Sequence, residues 1–296
     1  MIPSLRLGTR GSPLATVQSG MVADALALAT GVRVELVVIR TRGDDSIDRP
    51  LQEVGGKGLF TKEIEEAMLR QEIDFAVHSL KDLPTEQPDG LVIASIPERA
   101  DARDAMVGST IDALRPGAVV GTGSVRRALQ LSALRPDLDV RGIRGNVDTR
   151  LRKQREGKYD AVVLALAGLQ RLGLADAATE VIDIDRMIPA VGQGALAVQC
   201  RAGDQEVIRI LEAIHHQPTS SCVETERAFL ARIGGGCSAP AACHARLVDG
   251  MIVADAVWAE GPGGAPKRLH LSADPLHVHA LGTELAARLR ITVRGS

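Results

Sequence analysis

The sequence predicts an α/β protein with more than one domain, ending in a small α+β domain. Its 296 residues suffice for two or three domains, at roughly 100–200 residues for each. Over the first two hundred residues, short apolar strand patterns alternate with helical patterns, which indicates helices layered on mainly parallel sheets. After about Asp204 the alternation gives way to two helices, three strand-like runs and a final helix, which we interpret as the small domain.

Strands in the first part are marked by short, continuously apolar segments, which are typical of strands buried on both faces of a sheet. Helices are marked by apolar stripes and by their starts, such as the favourable cap Ser12 followed by Pro13. The expected strands are residues 5–8, 34–39, 73–77, 118–121, 138–141 and 161–165. The first expected helix starts at Ser12, and the next two span residues 61–70 and 124–134. The later helices are expected at 204–215, 221–233 and 279–289, and the later strands near 241–248, 251–258 and 267–272.

Composition and charge exclude several classes of protein. A hydrophobic content of 45% and a formal net charge of −2 are typical of a globular protein. The longest uncharged apolar stretch, residues 161–169, is far shorter than the ~20 residues that cross a bilayer, and the first thirty residues contain no apolar signal core. We therefore expect a cytoplasmic protein without a membrane partner. With one Trp, one Tyr and three Phe, the chain lacks a base-stacking platform, so no nucleic-acid partner is expected.

Four cysteines in a chain of this length, without a Cys-x-x-Cys pair, predict neither a disulfide framework nor a zinc site. The histidine pairs at 215–216 and 277–279 have no third ligand at a natural spacing, so no metal is expected. Cys237 is the least ordinary cysteine, because three glycines precede it. Such a backbone can reach into a cleft, where nearby arginines lower the pKa of a thiol. The alternative is an inert cysteine in a loop.

Arginine dominates the basic residues and indicates an anionic partner. It outnumbers lysine 29 to 6, and its planar guanidinium favours two-point contact with carboxylates or phosphates. Residues 121–155 carry nine basic and three acidic side chains, beside the glycine-rich turns GTGSVRR (121–127) and RGIRGN (141–146). A turn that leads from a strand into a helix aims backbone N–H groups at anions, so we interpret the surplus as an anion cradle. A GC-rich coding sequence and a solvated basic helix face are the alternatives.

Two further segments contain candidate functional residues. Asp82 follows the expected strand at 73–77, at the strand end where α/β active sites gather, and is a candidate for a carboxylate that acts on the substrate. A turn-capping aspartate near Pro84 is the alternative. The glycine loop at 54–63 is not a Walker A motif, but its Lys57 and Lys62 suit anion contacts. A helix-entry turn with solvated lysines is the alternative there.

Ten segments, in order along residues 5–245, together resemble one family, the porphobilinogen deaminases (hydroxymethylbilane synthases) of tetrapyrrole biosynthesis. Ten ordered matches are far more specific than any single motif. The segments are RLGTRGSPLA (6–15), TRGD (41–44), GGKGLFTK (55–62), HSLKDLP (78–84), RDA (103–105), GTGSVRR (121–127), RGNVDTR (144–150), AGLQRLG (167–173), PAVGQGA (189–195) and GGC (235–237).

The resemblance implies a transferase that joins four porphobilinogen molecules head to tail, releasing ammonia each time, and frees hydroxymethylbilane by hydrolysis. It also implies a covalent dipyrromethane cofactor, made from substrate and held by a thioether to the loop cysteine, which maps to Cys237. Each pyrrole ring carries an acetate and a propionate, so the growing chain gives the arginine surplus an anionic partner. A monomer whose small-molecule partner is porphobilinogen is expected.

The fold that the resemblance implies has two periplasmic-binding-protein-like α/β domains with a hinged cleft, plus a small C-terminal α+β domain. Domain 1, which carries the catalytic aspartate, is expected at residues 1–98 and 190–214, because the chain returns to it after the second domain. Domain 2, with the arginine-rich cradle, is expected at residues 99–189. Domain 3, with the cysteine loop, is expected at residues 215–296.

The resemblance also assigns site residues by motif. It makes Asp82 the catalytic carboxylate and Cys237 the point of cofactor attachment, and Gly123 stands where the family often has a second Ser or Thr. The remaining cofactor contacts would be Lys81, Thr122, Ser124, Arg126, Arg127, Arg144 and Gly145, and the substrate contacts Arg10, Ser12, Lys57, Lys62, Arg150 and Arg171.

One alternative function belongs to a different class. A non-catalytic, two-lobed binding protein for a small polycarboxylate would share the architecture, and fold alone does not fix function. Such a protein would account for the arginine cradle, but it would not account for the glycine-flanked thiol of Cys237.

Overall fold

The structure is a computed structural model that describes residues 4–41, 61–234, 239–260 and 264–294. The chain divides into two compact units, one formed by Met1–Arg99 and Ala195–Ser220, the other by Ala100–Gly194 and Ser221–Ser296. The chain therefore leaves the first unit after residue 99 and returns to it at residue 195. No helix in the described ranges is long and apolar enough to cross a membrane.

Strands and helices alternate through both units. The strands of the described ranges are, in chain order, β1 (Ser4–Thr9), β2 (Arg33–Val38), β3 (Phe75–Ser79), β4 (Leu91–Ser95), β5 (Asp104–Val107), β6 (Val119–Gly121), β7 (Asp139–Arg141), β8 (Ala161–Ala165), β9 (Glu180–Ile182), β10 (Leu196–Arg201), β11 (Ala241–Val248), β12 (Met251–Trp258) and β13 (Lys267–Ala273). The helices are α1 (Pro13–Thr30), α2 (Lys62–Leu69), α3 (Val125–Leu134), α4 (Val147–Arg155), α5 (Leu166–Arg171), α6 (Gln205–Glu212), α7 (Gln217–Ile233) and α8 (Val278–Arg294), with short 3-10 helices at Leu80–Asp82, Ala175–Ala177 and Pro275–His277.

Helix α1 shows how local sequence sets the elements. It begins at the predicted cap, where the Ser12 side chain accepts a hydrogen bond from the Ala15 N–H (3.3 Å) and Pro13 occupies the first turn, whose N–H groups have no partner within the helix. Val22 and Leu26 on its inner stripe are buried in one core with Leu7 of β1. Truncating Leu26 to alanine would destabilise that core by about 2–5 kcal/mol.

The two five-stranded sheets have the same arrangement. The first has the order β2-β1-β3-β10-β4 and the second β7-β6-β8-β5-β9. In each, the first three strands are parallel, and the strand that follows a crossing between the units (β10 or β5) is inserted antiparallel in fourth place. Each sheet is therefore mixed: four of its five strands run in one direction, as the prediction of mainly parallel sheets has it, but that prediction missed the inserted antiparallel strand.

A second correction concerns burial. The expected strand at 34–39 forms as β2, but its residues are mostly exposed or half-buried, because β2 lies at the edge of its sheet. Strands β4, β5, β9 and β10 were not expected. The C-terminal part follows its expected pattern closely: the antiparallel sheet β11-β12-β13 shares a core with α7 and α8 around Phe229, Ile252 and Leu285. The fold class, α/β with a small C-terminal α+β part, is confirmed.

Candidate active site

Asp82 is an exposed carboxylate on a buried turn. Strand β3 ends at Ser79, and the chain turns directly into the 3-10 helix Leu80–Asp82. The turn is fixed from below, because Leu80 and Leu83 are buried and the Leu80 N–H donates to the Ala195 carbonyl oxygen (3.1 Å). The Asp82 side chain itself is exposed and makes no hydrogen bond or ion pair with any residue that the structure describes. The turn thus presents a carboxylate to a ligand without using it structurally.

Predicted residues from two strands gather at this sheet edge. Strands β1 and β3 are parallel neighbours, so their carboxyl ends meet at one edge. Arg10 and Ser12 follow β1, and Lys81 follows β3. The Arg10 and Lys81 side chains are half-buried, and Ser12 is the cap of α1. The edge therefore combines one exposed carboxylate with two basic side chains and the N-terminus of a long helix.

Two residues that the sequence analysis missed hold this edge together. The Gln18 amide of α1 donates to the Ser79 hydroxyl oxygen (3.0 Å), and the Ser79 hydroxyl donates to the Gln18 side-chain oxygen (3.2 Å). Gln18 is buried. The pair ties α1 to the last residue of β3, three positions before Asp82. No local pattern marks such a pair, since the partners are 61 residues apart.

His78, just before that pair, is buried and neutral. Its Nε2 lies 3.1 Å from the side-chain oxygen of Gln199 on β10, so this nitrogen carries the proton and donates it. Burial lowers the pKa of His78 to about 4; the bond to Gln199 opposes this and the positive charge of Arg10 adds to it. The Gln199 amide in turn donates to the side-chain oxygens of Gln87 (2.8 Å) and Glu65 (3.3 Å). A connected, buried polar network therefore underlies the Asp82 turn.

In the second unit, the turn between β6 and α3 leads from a strand directly into the N-terminus of a helix, as the sequence predicts. The Ser124 side chain caps α3 by accepting from the Arg127 N–H (3.4 Å). Thr122 is buried: its N–H donates to the Arg141 carbonyl oxygen (2.9 Å), and its hydroxyl oxygen accepts from the Ser124 N–H (3.2 Å). The first turn of α3 contains no acidic residue, so the positive end of the helix dipole is not neutralised within the helix.

Arg126 and Arg127 lie in that first turn, and both are held by Asp104. Asp104 is completely buried at the start of β5. Its Oδ2 accepts from Arg126 Nη1 (2.7 Å) and its Oδ1 from Arg127 Nε (3.0 Å) and Nη2 (2.7 Å). Although burial would raise it, the two arginines hold the pKa of Asp104 well below its usual range. Asp104 lies in the RDA segment (103–105), but no role could be read for it from the sequence, because its partner Arg126 is 22 residues away.

The two arginines differ in which of their guanidinium nitrogens already make hydrogen bonds. Arg127 also donates through Nη1 to the Val163 carbonyl oxygen (3.0 Å), so all three of its nitrogens make hydrogen bonds within the protein. Arg126 donates through Nη1 to the Ile188 carbonyl oxygen (2.8 Å), while its buried Nε has no hydrogen-bond partner among the described residues. Burial lowers the pKa of Arg126, against the attraction of Asp104. Arg126 thus has a donor left for a ligand.

The segment after β7 supplies three more of the predicted contacts. The Arg144 side chain is half-buried, and its guanidinium makes no hydrogen bond or ion pair with any other described residue. The Gly145 carbonyl oxygen accepts from Arg150 Nε (2.8 Å), so Arg150 shapes the turn. The Asn146 side chain caps α4 by accepting from the Thr149 N–H (2.9 Å). Arg144 is therefore the cation of this segment that a ligand can approach most directly.

Arg171, at the end of α5, is a half-buried cation with one buried, unfilled donor. Its Nη2 donates to the Gly194 carbonyl oxygen (2.7 Å), and its buried Nε has no hydrogen-bond partner among the described residues. Burial lowers the pKa of Arg171. An anion is the natural partner for a desolvated guanidinium with an unused N–H.

Three predicted contacts remain. Cys237 and Lys57 lie outside the described residues. Lys62, at the start of α2, is exposed, and its Nζ lies 3.9 Å from Oε1 of Glu66. The other cysteines, Cys200, Cys222 and Cys243, are buried thiols, and burial raises the pKa of Cys200 to about 11. No cluster of metal-ligating side chains is found in the described part of the chain.

Comparison with known proteins shows the family to which this chain is similar. A family model described as porphobilinogen deaminase, dipyromethane cofactor binding domain, matches residues 5–209, and one described as its C-terminal domain matches residues 220–289. The chain is 56% identical to the porphobilinogen deaminase of Roseiflexus sp. over 83% of each chain. It is 48% identical to that of Trichlorobacter lovleyi over 96% of this chain and 92% of the relative.

Among solved structures, the chain has a distant likeness to the methionine binding protein MetQ, with a TM-score of 0.45 and 13% identity over 72% of this chain and 90% of that one. The two family models together match most of the sequence, and the curated relatives match it along nearly its whole length. The chain belongs to the porphobilinogen deaminase family.

Proposed function

We propose that this chain joins four porphobilinogen molecules head to tail, with loss of ammonia at each step, and releases hydroxymethylbilane by hydrolysis. The observation that carries the proposal is Asp82, an exposed carboxylate that the fold presents on a buried turn and uses for no described contact. The family assignment supports an enzyme of tetrapyrrole biosynthesis, and not the alternative of a non-catalytic binding protein.

In this mechanism Asp82 acts on the reacting ring. Departure of ammonia from the aminomethyl group of porphobilinogen breaks the C–N bond and leaves an azafulvenium cation. A fixed carboxylate stabilises that positive charge as it develops. It also serves as the acid–base group for the proton of the departing amine. The Gln18–Ser79 pair and the buried His78–Gln199 network hold the turn that carries it.

The matched family model is that of a dipyrromethane-binding domain, and the residues present fit such a group. Its two pyrrole rings carry four carboxylates, and the second unit offers a buried, unfilled Nε donor on Arg126, which is buried, and another on Arg171, which is half-buried. We propose that Arg126 holds cofactor carboxylates together with Arg127, Arg144, Lys81 and the Thr122–Ser124 turn, with Gly145 shaping the adjacent turn. When bound, the group supplies the covalent anchor to which substrate rings are added.

We propose that the carboxylates of incoming substrate are contacted by Arg10, Ser12, Lys57, Lys62, Arg150 and Arg171. Each charge-assisted hydrogen bond contributes about 1.5–3 kcal/mol, so several of them retain a growing polycarboxylate without one deep pocket.

Cys237 is proposed as the attachment point, by a thioether. The three cysteines that the structure describes are buried, and a buried, desolvated thiol such as Cys200 is a poor nucleophile. We also propose a cytoplasmic location, because a reducing compartment keeps the Cys237 thiol from forming a disulfide. We propose that the enzyme is a monomer. The proposed three-domain division at residues 99, 190 and 215 is supported by the separate core around Phe229.

Intact mass measurement tests the proposed function. Protein produced with an adequate porphobilinogen supply is expected to be heavier than its sequence by one dipyrromethane. Cys237→Ser is expected to lose this mass, and Cys222→Ser, at a buried cysteine, is the matched control that keeps it. A chain of bare sequence mass under the same supply would support the polycarboxylate-binding alternative.

A further inference from the structure

We propose that Asp104 is a positioning residue for the cofactor carboxylates. It holds Arg126 and Arg127 side by side and neutralises one of their two positive charges, which leaves a binding position for a single carboxylate. This inference rests on the proposed role of the two arginines as cofactor contacts. Asp104 itself is completely buried, so it acts on the cofactor only through them.

The position of Asp104 in the sheet explains how it reaches both arginines. Strand β5 runs antiparallel to β8, with Asp104 opposite Ala165, the last residue of β8. Strands β6 and β8 are parallel, so the beginning of β5 lies at the edge from which the β6–α3 turn emerges. The inserted antiparallel strand thus brings a carboxylate to the N-terminus of α3, where Arg126 and Arg127 begin the helix.

Charge explains why a carboxylate is needed there. Two adjacent guanidiniums in the first turn of a helix oppose the helix dipole, and both are removed from water, which is costly unless they are paired. The single negative charge of Asp104 leaves one positive charge in excess. That excess, together with the unpartnered Nε of Arg126 and a helix dipole that no acidic residue of the first turn neutralises, favours one further anion at this position.

Hydrogen bonds from outside the pair fix the orientation of the Asp104 carboxylate. Gln193 donates from Nε2 to Asp104 Oδ1 (2.8 Å) and to the Ala102 carbonyl oxygen (2.6 Å). On the other side, Gln130 Nε2 donates to the Ile188 carbonyl oxygen (3.0 Å), which also accepts from Arg126 Nη1. Asp104 is therefore held by Gln193, and Arg126 shares the Ile188 carbonyl oxygen with Gln130. These contacts fix the orientation of the Arg126 side chain and of its unfilled Nε donor.

The test measures how readily the cofactor is acquired. Asp104→Asn keeps the shape and removes the charge. The porphobilinogen concentration at which half of the chains carry the dipyrromethane mass is expected to rise at least tenfold in this variant. Asp74→Asn is the matched control, because Asp74 also holds two arginines, Arg6 (2.7 Å) and Arg201 (3.5 Å), and belongs to the first unit. Its thermal stability is expected to fall while its half-loading concentration stays within twofold of the wild type.

The outcomes separate this inference from the proposed function. A wild-type chain that never gains the mass contradicts the proposed function, whereas equal loading of the wild type and Asp104→Asn overturns the role of Asp104 alone. If Asp104→Asn does not fold, Gln193→Met, which removes one donor to Asp104 at similar volume, decides the matter. A rise of at least threefold in its half-loading concentration supports the inference, and wild-type loading overturns it.

Discussion

His78 Nε2 lies 3.1 Å from the side-chain oxygen of Gln199, and both side chains are buried, so a neutral imidazole is built into the core four residues before Asp82. The two residues come from adjacent antiparallel strands, β3 and β10. The returning segment of the chain thus contributes directly to the support of the candidate catalytic turn.

This pair predicts a pH dependence of stability. The pKa of His78 is lowered to about 4 by burial, whereas in the unfolded chain the ring takes up a proton below about 6.5. The unfolded state therefore binds more protons between these values, and the free energy of unfolding falls as pH decreases from about 6.5 to 4, by up to about 3 kcal/mol.

Denaturant unfolding of wild type and His78→Gln across that window checks this expectation. The variant is expected to show a shallower decline, because it has no imidazole to protonate. His279→Gln, at an exposed ring, is the matched control and is expected to keep the wild-type decline. Equal slopes in wild type and His78→Gln would contradict the buried neutral imidazole.

Asp82→Asn is expected to abolish most turnover without loss of the cofactor. The amide keeps the shape but cannot stabilise a cation or take up a proton, so turnover should fall by about 10²–10⁴-fold, while intact mass still shows the dipyrromethane. Asp89→Asn, an exposed aspartate of the same unit, serves as the control and should retain wild-type turnover. Near-normal turnover of Asp82→Asn would exclude it as the catalytic carboxylate.

Arg144→Met is expected to weaken ligand binding with little effect on folding. Its guanidinium makes no described contact within the protein, so thermal stability should stay close to that of the wild type. Loss of charge-assisted bonds worth about 1.5–3 kcal/mol corresponds to a weakening of roughly 10–150-fold, measured as the half-loading concentration or the KM for porphobilinogen. Arg152→Met, at a residue paired with Glu156 on the surface, is the control; equal KM values for both variants would contradict the assignment.

Gly194→Ala tests the close packing that supports Arg171. Gly194 has a φ of 85°, and a Cβ there would lie 2.4 Å from the Ala100 carbonyl oxygen. Gly157 has a similar φ of 74° but open space around it. Gly157→Ala should therefore lose only about 1–2 kcal/mol of unfolding free energy, from the backbone conformation, and Gly194→Ala clearly more. Chemical denaturation measures both, and equal losses would rule out the close contact.

Sequence predicted what is local and missed what is distant. The caps at Ser12 and Ser124 and the C-terminal strands 241–248 and 251–258 form as expected, because each depends on neighbouring residues. Strands β5 and β10 were missed because they join each sheet antiparallel after a crossing between units, where alternation with helices gives no signal. Asp104 and Gln199 were missed for the same reason, since both reside on those strands and their partners are remote in sequence.

The candidate site divides in the same way. Asp82 and the arginine-rich turns could be predicted, since motif and charge mark them directly. The division of roles between Arg126 and Arg127 could not, because adjacent arginines look alike in sequence. Their contacts distinguish them: Arg127 makes hydrogen bonds through all three of its nitrogens, whereas the buried Nε of Arg126 has no partner among the described residues.

The central claim is that substrate rings are added one at a time to a chain covalently held at residue 237 while Asp82 acts on each addition. It is tested most directly by intact mass of the loaded enzyme, quenched after exposure to limiting porphobilinogen. The account predicts a ladder of species, each heavier by one porphobilinogen less ammonia, and only the unextended loaded species for Asp82→Asn. A loaded wild-type enzyme that forms product with no such covalent ladder, or an Asp82→Asn ladder equal to the wild type, would contradict it.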